Sequence, residues 1–446
     1  MNASHIIRAV KYTPGYEWFI TPHWLRRFGP LRLVDGSLLD RIGLHFYTLY
    51  AVLGGVMSGT FTLNSFVLKE ALHGTTFQVA LISMLGSVCL LLGIFGSELV
   101  DGRDKRPFIF WMGLISRGSF VLYLFVWDAW SFIGVSALFF VSNALLMPAV
   151  FAMWQANVSS ASRSRLWGLT VTVSTIVSMA CAAGTGYILD FNQFNFRWLF
   201  AVSGLVGLLG TLILAQSPLR GKYKLNTELP ALNFRKLLIE PINGFVALLK
   251  RDKPFLHFEA AFFLYGSALM LMFPVMPFYL KDVIGMSYAE IGIAQGPLAM
   301  AGVIMLSPVW GKFMDGRGPA ALCSVIFTIL SIFPLSLMLG LRGYDHGSLI
   351  LIVYCAYLVF GIGMSGINVA WSLAPVTFAR GADASPYSGA HVTITGIRGA
   401  IAPLMGALLM NISYEFVFYC SASLFLLGAV GMVLHRRHYR YEAETS

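Results

Sequence analysis

Twelve stretches of this chain are each long enough and apolar enough to cross a lipid bilayer. The hydrocarbon core of a bilayer is about 30 Å thick, so a helical span takes about 20 apolar residues. Lone strands would leave their backbone polar groups unpaired in lipid, so each stretch is predicted to be a helix. The sequence therefore predicts an all-α membrane protein with spans approximately at residues 42–68, 76–97, 107–127, 131–154, 166–189, 196–216, 255–280, 287–309, 319–340, 348–376, 386–410 and 413–435.

The basic residues are distributed unevenly among the connections between these spans. Of the 31 Lys and Arg, 25 lie in the N-terminal segment, the even-numbered connections and the C-terminal tail, whereas four lie on the opposite side. Because cytoplasmic connections are rich in Lys and Arg, both termini are predicted to be cytoplasmic, in a bacterial inner membrane. The net charge of +10 then reflects topology, and nucleic acid binding is not predicted.

The longest polar interruption, Ser217–Pro254, divides the spans into two groups of six and carries eight Lys and Arg. Within it, Phe234–Lys250 groups apolar residues beside basic ones, which predicts a helix on the cytoplasmic membrane surface, bent at Pro241. The predicted organisation is a cytoplasmic N-terminal segment at 1–41, a six-helix bundle at 42–216, a central loop at 217–254, a second six-helix bundle at 255–435 and a cytoplasmic tail at 436–446.

The two groups of six spans resemble each other in sequence. An Asp-Gly-Arg tripeptide follows the second span and returns after the eighth, at residues 101–103 and 315–317. A Gly, a Thr and a further Gly recur at comparable positions of the fifth and eleventh spans, as Gly168, Thr172 and Gly186 and as Gly389, Thr393 and Gly406. Repeated halves of this kind are typical of secondary transporters, whose substrate site lies near the membrane midplane between the halves.

Twelve spans, a basic central loop and an acid-Gly-Arg loop after spans 2 and 8 resemble the major facilitator superfamily of secondary transporters. The resemblance covers about residues 42–435 and implies two pseudo-symmetric six-helix bundles that transport a solute by alternating access. The loop motif of that family runs Gly-x-x-x-Asp-Arg-x-Gly-Arg-Arg/Lys. The residues that match it are Gly311, Asp315 and Gly318 in the second half and Asp101, Lys105 and Arg106 in the first. Gly316 stands where Arg is usual, and Ser97 and Asp104 replace the two glycines of the first loop.

Such a loop has to reverse the chain tightly, which favours glycine at positions 102, 316 and 318. Its carboxylate can face the positive N-terminal end of a helix from the other half. The resemblance implies that Asp101 meets the start of span 11 and that Asp315 meets the start of span 5, only while the cytoplasmic mouth is closed. The alternative is a solvated turn that enforces topology. We call the predicted set the latch: Asp101, Arg103, Lys105, Arg106, Gly311, Asp315, Arg317 and Gly318.

Two arginines lie deep within predicted spans. Arg117 is ten residues into span 3 and Arg398 twelve into span 11, which at 1.5 Å per residue is roughly 15–18 Å deep. Arginine in hydrocarbon is costly and should face a cavity or a partner. Because the resemblance places span 11 beside the cavity and span 3 outside it, Arg398 is predicted to bind substrate and Arg117 to be structural. Residues at similar depth complete the predicted substrate site: Asn143, Tyr265 and Tyr357.

Two ionisable residues near span ends are candidates for proton coupling. Glu259 is the acidic residue that clearly falls inside a span, four residues into span 7, and His391 lies five residues into span 11. Burial favours the uncharged form of a carboxyl group, which can then carry a proton. Each residue is predicted as an alternative proton relay, and a hydrated or paired group near the membrane surface is the other interpretation.

These features predict a secondary transporter that acts as a monomer, without cofactor or metal, and moves a small solute with a coupled ion, the proton. A buried Arg with few buried acids favours an anionic or zwitterionic organic solute. Efflux of lipophilic drugs and a non-transporting receptor or scaffold stay open as alternatives. An enzyme is not predicted: Gly363–Gly366 with His391 resembles the dyad of rhomboid proteases in four residues only, and no phosphate-binding GxxxxGK[ST] motif occurs.

Overall fold

The computed structural model of this chain describes residues 38–100, 103–158, 163–217, 240–380 and 384–439. Within these ranges the chain is helical and contains no strand. Eleven helices are long and apolar enough to cross a membrane, and Thr76–Leu92 is a shorter apolar helix. The predicted all-α membrane fold is therefore confirmed. The predicted N-terminal segment, the tail beyond residue 439 and most of the central loop lie outside the described residues.

We number the membrane helices α1 to α12 in chain order. The end of the bundle at which α1 begins and α12 ends is called the basic end, since its connections hold most of the Lys and Arg, and the opposite end is called the far end. The helices are Leu38–Phe61 (α1), Thr76–Val88 (α2, continued to Val100), Lys105–Gly118 (α3), Ala129–Asn157 (α4), Arg163–Phe191 (α5), Phe196–Ala215 (α6), Lys253–Met272 (α7), Tyr288–Arg317 (α8), Pro319–Met338 (α9), His346–Ala379 (α10), Ser385–Met410 (α11) and Tyr414–His438 (α12).

Side-chain caps stabilise the first turn of most of the helices that begin at the far end. Five of the six even-numbered helices are preceded by a residue whose side chain accepts a hydrogen bond from the first helical turn: Thr75, Asp128, Ser287, Asp345 and Ser413. Such caps satisfy backbone donors that lack a partner in the helix. Hydrogen bonds from Ser348 hold the pKa of the Asp345 carboxyl below its ordinary value, so this cap stays charged at neutral pH.

The packing of the helices repeats between the two halves. In the first half α1 packs on α5 and α6, and α3 packs on α4 and α6. Six helices later, α7 packs on α11 and α12, and α9 packs on α10 and α12. The contacts between the halves also form a matched pair, α5 with α8 and α11 with α2. This pattern is that of two six-helix bundles related by pseudo-twofold symmetry, as predicted.

The short helix Glu240–Arg251 precedes α7. It contacts α7 and α11, and its Leu248 is buried in the core of the second bundle. Pro241 lies in the first turn of the described helix, where proline is tolerated, and the bend predicted at Pro241 stays a prediction. The remainder of the predicted surface helix, residues 234–239, lies outside the described residues.

Candidate functional site

A cavity of about 340 Å³ lies between the two halves. It is formed by α2, α4 and residues 62–66 just beyond α1 in the first half, with α7, α8, α9 and α10 of the second, and we call it the central cavity. Its polar lining includes Asn64 and Ser83 from one half and Gln295 and Tyr357 from the other. The amide Nε2 of Gln295 donates to the hydroxyl of Tyr357 at 3.3 Å. No charged residue lines this cavity in the part of the chain that the structure describes.

At the far end the halves are joined by charged groups. The carboxylate of Asp190, at the end of α5, accepts hydrogen bonds from the backbone N–H groups of Tyr288 (2.6 Å) and Ala289 (2.8 Å), at the start of α8. It therefore faces the positive end of a helix from the other half. The ammonium group of Lys69, just beyond α1, forms an ion pair with Asp282, just beyond α7. We call these two cross-half contacts the far-end closure.

Small residues allow α5 and α8 to approach closely at this end. A Cβ added to Gly186 would lie 2.2 Å from the backbone oxygen of Tyr288. A Cβ added to Gly292 of α8 would lie 2.6 Å from the backbone oxygen of Ala182. Glycine removes the side chain that would otherwise hold the two backbones apart. The far-end closure therefore depends on backbone contact as well as on charge.

Toward the basic end the same two helices separate, because α5 packs on the start of α8, Tyr288–Leu298, and makes few contacts with Ala299–Arg317. No described atom lies within 4 Å of the position that a Cβ would take at Gly168 of α5 or Gly311 of α8. Asp315, the predicted latch carboxylate of the second half, is exposed and has no hydrogen bond or ion pair with a residue that the structure describes. The structure is thus closed at the far end, with its halves separated at the basic end.

The second latch loop differs from its predicted form. Helix α8 continues to Arg317, so Asp315 and Gly316 are helical, and the prediction that Gly316 forms the turn is wrong. The chain reverses at Gly318, whose φ of 81° lies in the left-handed region that favours glycine. Pro319 then occupies the first position of α9. The guanidinium of Arg317 lies 5.0 Å from the ring centre of Phe313.

The first latch loop is described from Arg103 onward, so Asp101 lies outside the described residues. The side chain of Asp104 caps α3 and forms an ion pair with Arg106 at 2.6 Å. Burial acts to raise the pKa of Asp104, but the hydrogen bonds and charge of Arg106 outweigh it and hold that pKa below its ordinary value. Lys105 donates to the backbone oxygen of Arg103 at 2.6 Å. These contacts lie within the loop itself.

We expect Asp190→Asn to weaken the far-end closure. A carboxylate at a helix N-terminus is worth about 0.3–2 kcal/mol, so the share of molecules closed at the far end should fall by up to about 30-fold relative to those open there. Spin labels at Trp130 and Ile412, both exposed at the far end, would report longer distances in a background without native cysteines. Asp345→Asn is the matched control, because Asp345 caps α10 within its own half. Unchanged far-end distances in Asp190→Asn would contradict this role.

Glu259 and His391, predicted as alternatives, lie in contact. Oxygen Oε1 of Glu259 on α7 is 2.7 Å from Nδ1 of His391 on α11, and the two residues are 1% and 2% exposed. Oε2 of Glu259 and Nε2 of His391 have no hydrogen-bond partner among the described residues. Because both groups are buried and each has spare hydrogen-bonding capacity, the pair can bind a proton away from bulk water. Ser365 donates to the backbone oxygen of Ile362 and does not pair with His391.

Arg398 and Tyr265, predicted to bind substrate, lie inside the second bundle and not on the central cavity. Nη1 of Arg398 donates to the backbone oxygen of Phe262 at 2.8 Å. The guanidinium carbon lies 5.4 Å and 5.6 Å from the ring centres of Phe262 and Tyr265, which is cation–π geometry. The ring of Tyr265 stacks on Phe327 at 4.7 Å. Of the four predicted substrate residues, only Tyr357 lines the central cavity.

The fourth predicted substrate residue, Asn143, belongs to a polar group in the first bundle. Its Oδ1 accepts a hydrogen bond from Nη1 of Arg117 at 2.6 Å. The same guanidinium donates to Ser116 at 2.7 Å and contacts the hydroxyl of Tyr50 at 3.4 Å. These bonds connect α1, α3 and α4, so the position of Arg117 agrees with a structural role. Asn143 holds this buried cation in place.

The residues of the site that were not predicted include Lys69, Asp190, Asp282 and Gln295. Asp190 and Lys69 follow long apolar runs at the far end, where charged residues are scarce, and that scarcity is the signal in the sequence that could have identified them. Gln295 is one amide in a Gly- and Ala-rich stretch. Nothing in the sequence around it indicates that it reaches Tyr357.

The profile of the Major Facilitator Superfamily matches residues 46–403. The proton-coupled antiporter flippase LtaA of Staphylococcus haemolyticus (strain JCSC1435) is 27% identical over 186 residues, which are 40% of this chain and 44% of that protein. The match therefore spans less than half the length of this relative.

Solved structures of transporters superpose on nearly the whole fold. The nucleoside transporter NupG gives a TM-score of 0.68 at 12% identity, over 88% of this chain and 99% of that one. A POT family transporter in complex with a thioalcohol-conjugated peptide gives 0.70 at 14% identity, over 89% and 96%. A POT family transporter in complex with 5-aminolevulinic acid gives 0.69 at 12% identity, over 89% and 96%. At these identities the likeness concerns the fold.

Proposed function

This chain belongs to the major facilitator superfamily and is a membrane transporter, and we propose that it moves an organic solute through the central cavity by proton-coupled alternating access. The observation that carries the proposal is the unequal contact between the halves. They meet through the far-end closure and stand apart at Gly168 and Gly311, at the basic end. The central cavity lies between them, and solutes bind between the halves in transporters built from repeats.

Alternating access requires a second arrangement in which the far end opens and the basic end closes. The pseudo-twofold pattern of helix contacts supports it, because the same pairs, α5 with α8 and α2 with α11, can pivot about the cavity. In that arrangement the latch contacts of Asp315 with the start of α5 would form and the Asp190 contacts would break. The basic end is cytoplasmic in this proposal, as the Lys and Arg distribution predicts, and the membrane is the bacterial inner membrane.

We assign proton coupling to the Glu259–His391 pair. It joins α7 to α11, and α11 packs on α2 of the other half, so its protonation state is felt at the interface between the halves. The ring of Trp371, which is 38% exposed, lies 5.5 Å from the His391 ring, so one aromatic layer separates the pair from the protein surface. The ionisable groups that interact with Glu259 besides His391 are Arg398 on α11 and Cys323 on α9.

The lining of the central cavity indicates the class of solute. Amide and hydroxyl groups lie among aromatic rings that include Phe66, Phe140 and Phe360. Such a lining suits a solute with an apolar body and uncharged polar groups. It supports an anionic solute less, because Arg398 lies outside this cavity. Efflux of a lipophilic or lipid-like compound is the second candidate, favoured by the aromatic lining and by the similarity to a flippase.

We expect purified protein in proteoliposomes to catalyse counterflow with at least one solute of a four-class panel. The panel contains a nucleoside, a dipeptide, a monocarboxylate and a lipophilic cation, each radiolabelled, and an internal pH-sensitive dye records coupled proton movement. A solute that fits the cavity should exchange with its unlabelled form, and its net uptake, measured separately, should change the internal pH. Tyr357→Phe, which removes the hydroxyl bound by Gln295, should weaken apparent affinity by about tenfold.

Ser348→Ala provides the matched control, since Ser348 lies on α10 at the far end, away from the central cavity. It should leave counterflow unchanged. Absence of counterflow for the whole panel, with the protein folded and monodisperse, would favour the receptor or scaffold alternative over transport.

A further inference from the structure

A second cavity lies between α7, α11 and α12, in the far half of the second bundle. Its volume is about 560 Å³, and it shares no lining residue with the central cavity. Along α11 its lining runs from Arg398 to Leu409, which at 1.5 Å per residue is about 16 Å of helix. We call this cavity the lateral slot. It extends from the middle of the membrane toward the far end.

The lateral slot faces the bilayer. Its lining residues Ile401, Met405, Phe416 and Tyr419 are all exposed. In this half of the molecule the two bundles are in contact, so apolar side chains exposed on α11 and α12 contact lipid and not the space between the bundles. A ligand can therefore enter the slot from the hydrocarbon of the membrane.

Arg398 forms the inner end of the lateral slot. The residue is 3% exposed, and its Nε has no hydrogen-bond partner among the described residues. A Cβ added to Gly266 of α7 would lie 2.0 Å from the guanidinium carbon of Arg398. The missing side chain of Gly266 thus provides the space in which the guanidinium lies against the backbone of α7.

The charge of Arg398 is not neutralised by a direct ion pair in the described part of the chain. The buried carboxylate on α7, Glu259, is bound to His391. Arg398 uses one hydrogen bond to the backbone oxygen of Phe262, whereas a guanidinium carries five donors. Because an uncompensated cation in hydrocarbon is costly, this site favours an anion.

We propose that the lateral slot binds a long-chain carboxylic acid from the bilayer, with its carboxylate on Arg398 and its chain along α11 toward the far end. A planar guanidinium matches a carboxylate with two parallel hydrogen bonds, and the rest of the slot is lined by apolar and aromatic side chains. A phospholipid fits less well, since its bulky head group stays at the membrane surface and Arg398 lies near mid-depth. The slot is separate from the transport pathway proposed above, and its occupancy does not require transport.

The test is photo-labelling of the purified full-length protein in lipid nanodiscs with palmitic acid that carries a diazirine near its chain end. Mass spectrometry should place the label on the far halves of α11 and α12. Unlabelled palmitic acid should compete, whereas hexadecanol and phosphatidylglycerol should compete about tenfold less well or worse. Equal competition by hexadecanol would overturn the role of the charge, and equal competition by phosphatidylglycerol would overturn the choice of a free acid.

Substitutions test the charged inner end of the slot and its apolar lining independently. Arg398→Gln should reduce labelling by palmitic acid to the level seen in the presence of excess competitor, and Arg398→Lys should restore part of it. Ile401→Trp fills the slot and should abolish labelling even if Arg398→Gln does not fold. Leu408→Trp is the matched control, because Leu408 is exposed on α11 but does not line the slot. Labelling that is equally strong in Ile401→Trp and in Leu408→Trp would overturn the proposal, whatever the outcome of the transport assays.

Discussion

Glu259→Gln should uncouple solute movement from the proton gradient and leave exchange of solute intact. A pH difference of about two units supplies about 2.7 kcal/mol per proton, enough for about a 100-fold solute imbalance at one proton per solute. Gln keeps the size and one hydrogen-bond acceptor of Glu259 but cannot bind or release a proton. We therefore expect the imbalance to fall to about onefold in the variant, while counterflow stays within about threefold of the unsubstituted protein.

The measurement uses proteoliposomes with an imposed pH difference and the panel solute that gives the strongest counterflow. His391→Asn should behave like Glu259→Gln, because the two side chains share one hydrogen bond at 2.7 Å. Glu415→Gln is the matched control, since Glu415 is an exposed acid at the start of α12. A Glu259→Gln variant that still builds a large solute imbalance would exclude the pair as the proton site and leave alternating access itself untouched.

Depth in the membrane could be predicted from the sequence, but the direction of each side chain could not. Counting residues from the helix ends placed Glu259 and His391 at similar distances from the basic end, and the structure places them in contact. Whether they meet depends on how α7 and α11 are rotated about their axes, and hydropathy does not fix that rotation. The same limit explains why Arg398 is not on the central cavity, where it was predicted to bind substrate. Its depth follows from the sequence, but its side chain points at the backbone of α7.

The division of the chain into two six-helix halves was easier to predict from the sequence than the contacts of single side chains. Twelve apolar runs and a repeated Asp-Gly-Arg loop lead directly to two six-helix halves, because both signals are local in sequence. The end of α8 was predicted too early, at residue 309, although Gly318 followed by Pro319 signals where the helix ends. The hydrogen-bond partners of Asp190 could not be predicted from the sequence, because they lie 98 and 99 positions later in the chain.

Gly186→Val should prevent closure of the far end. The added Cβ would meet the backbone oxygen of Tyr288 at 2.2 Å and the Cα of Ala289 at 3.0 Å. These are backbone atoms, so they can move only if α5 and α8 separate. Overpacking of this kind costs about 1–3 kcal/mol, which would lower the far-end-closed share by about 5- to 150-fold relative to the far-end-open share. In an arrangement that is open at the far end the same side chain has room, so the cost applies to one state only.

Two pairs of spin labels test this expectation at both ends of the molecule. The far-end pair at Trp130 and Ile412 should report longer distances in Gly186→Val. The basic-end pair at Trp111 and Val325, which are exposed and lie six residues after the starts of α3 and α9, should report shorter distances.

Gly184→Val is the matched control, because Gly184 is on the same helix and no described atom lies within 4 Å of its added Cβ. If the far end widens in Gly186→Val and the basic end does not narrow, the halves move independently, and the rigid pivot about the central cavity would have to be abandoned. If both ends respond in Gly186→Val and neither responds in Gly184→Val, the close contact of α5 with α8 at Gly186 sets the balance between the two arrangements.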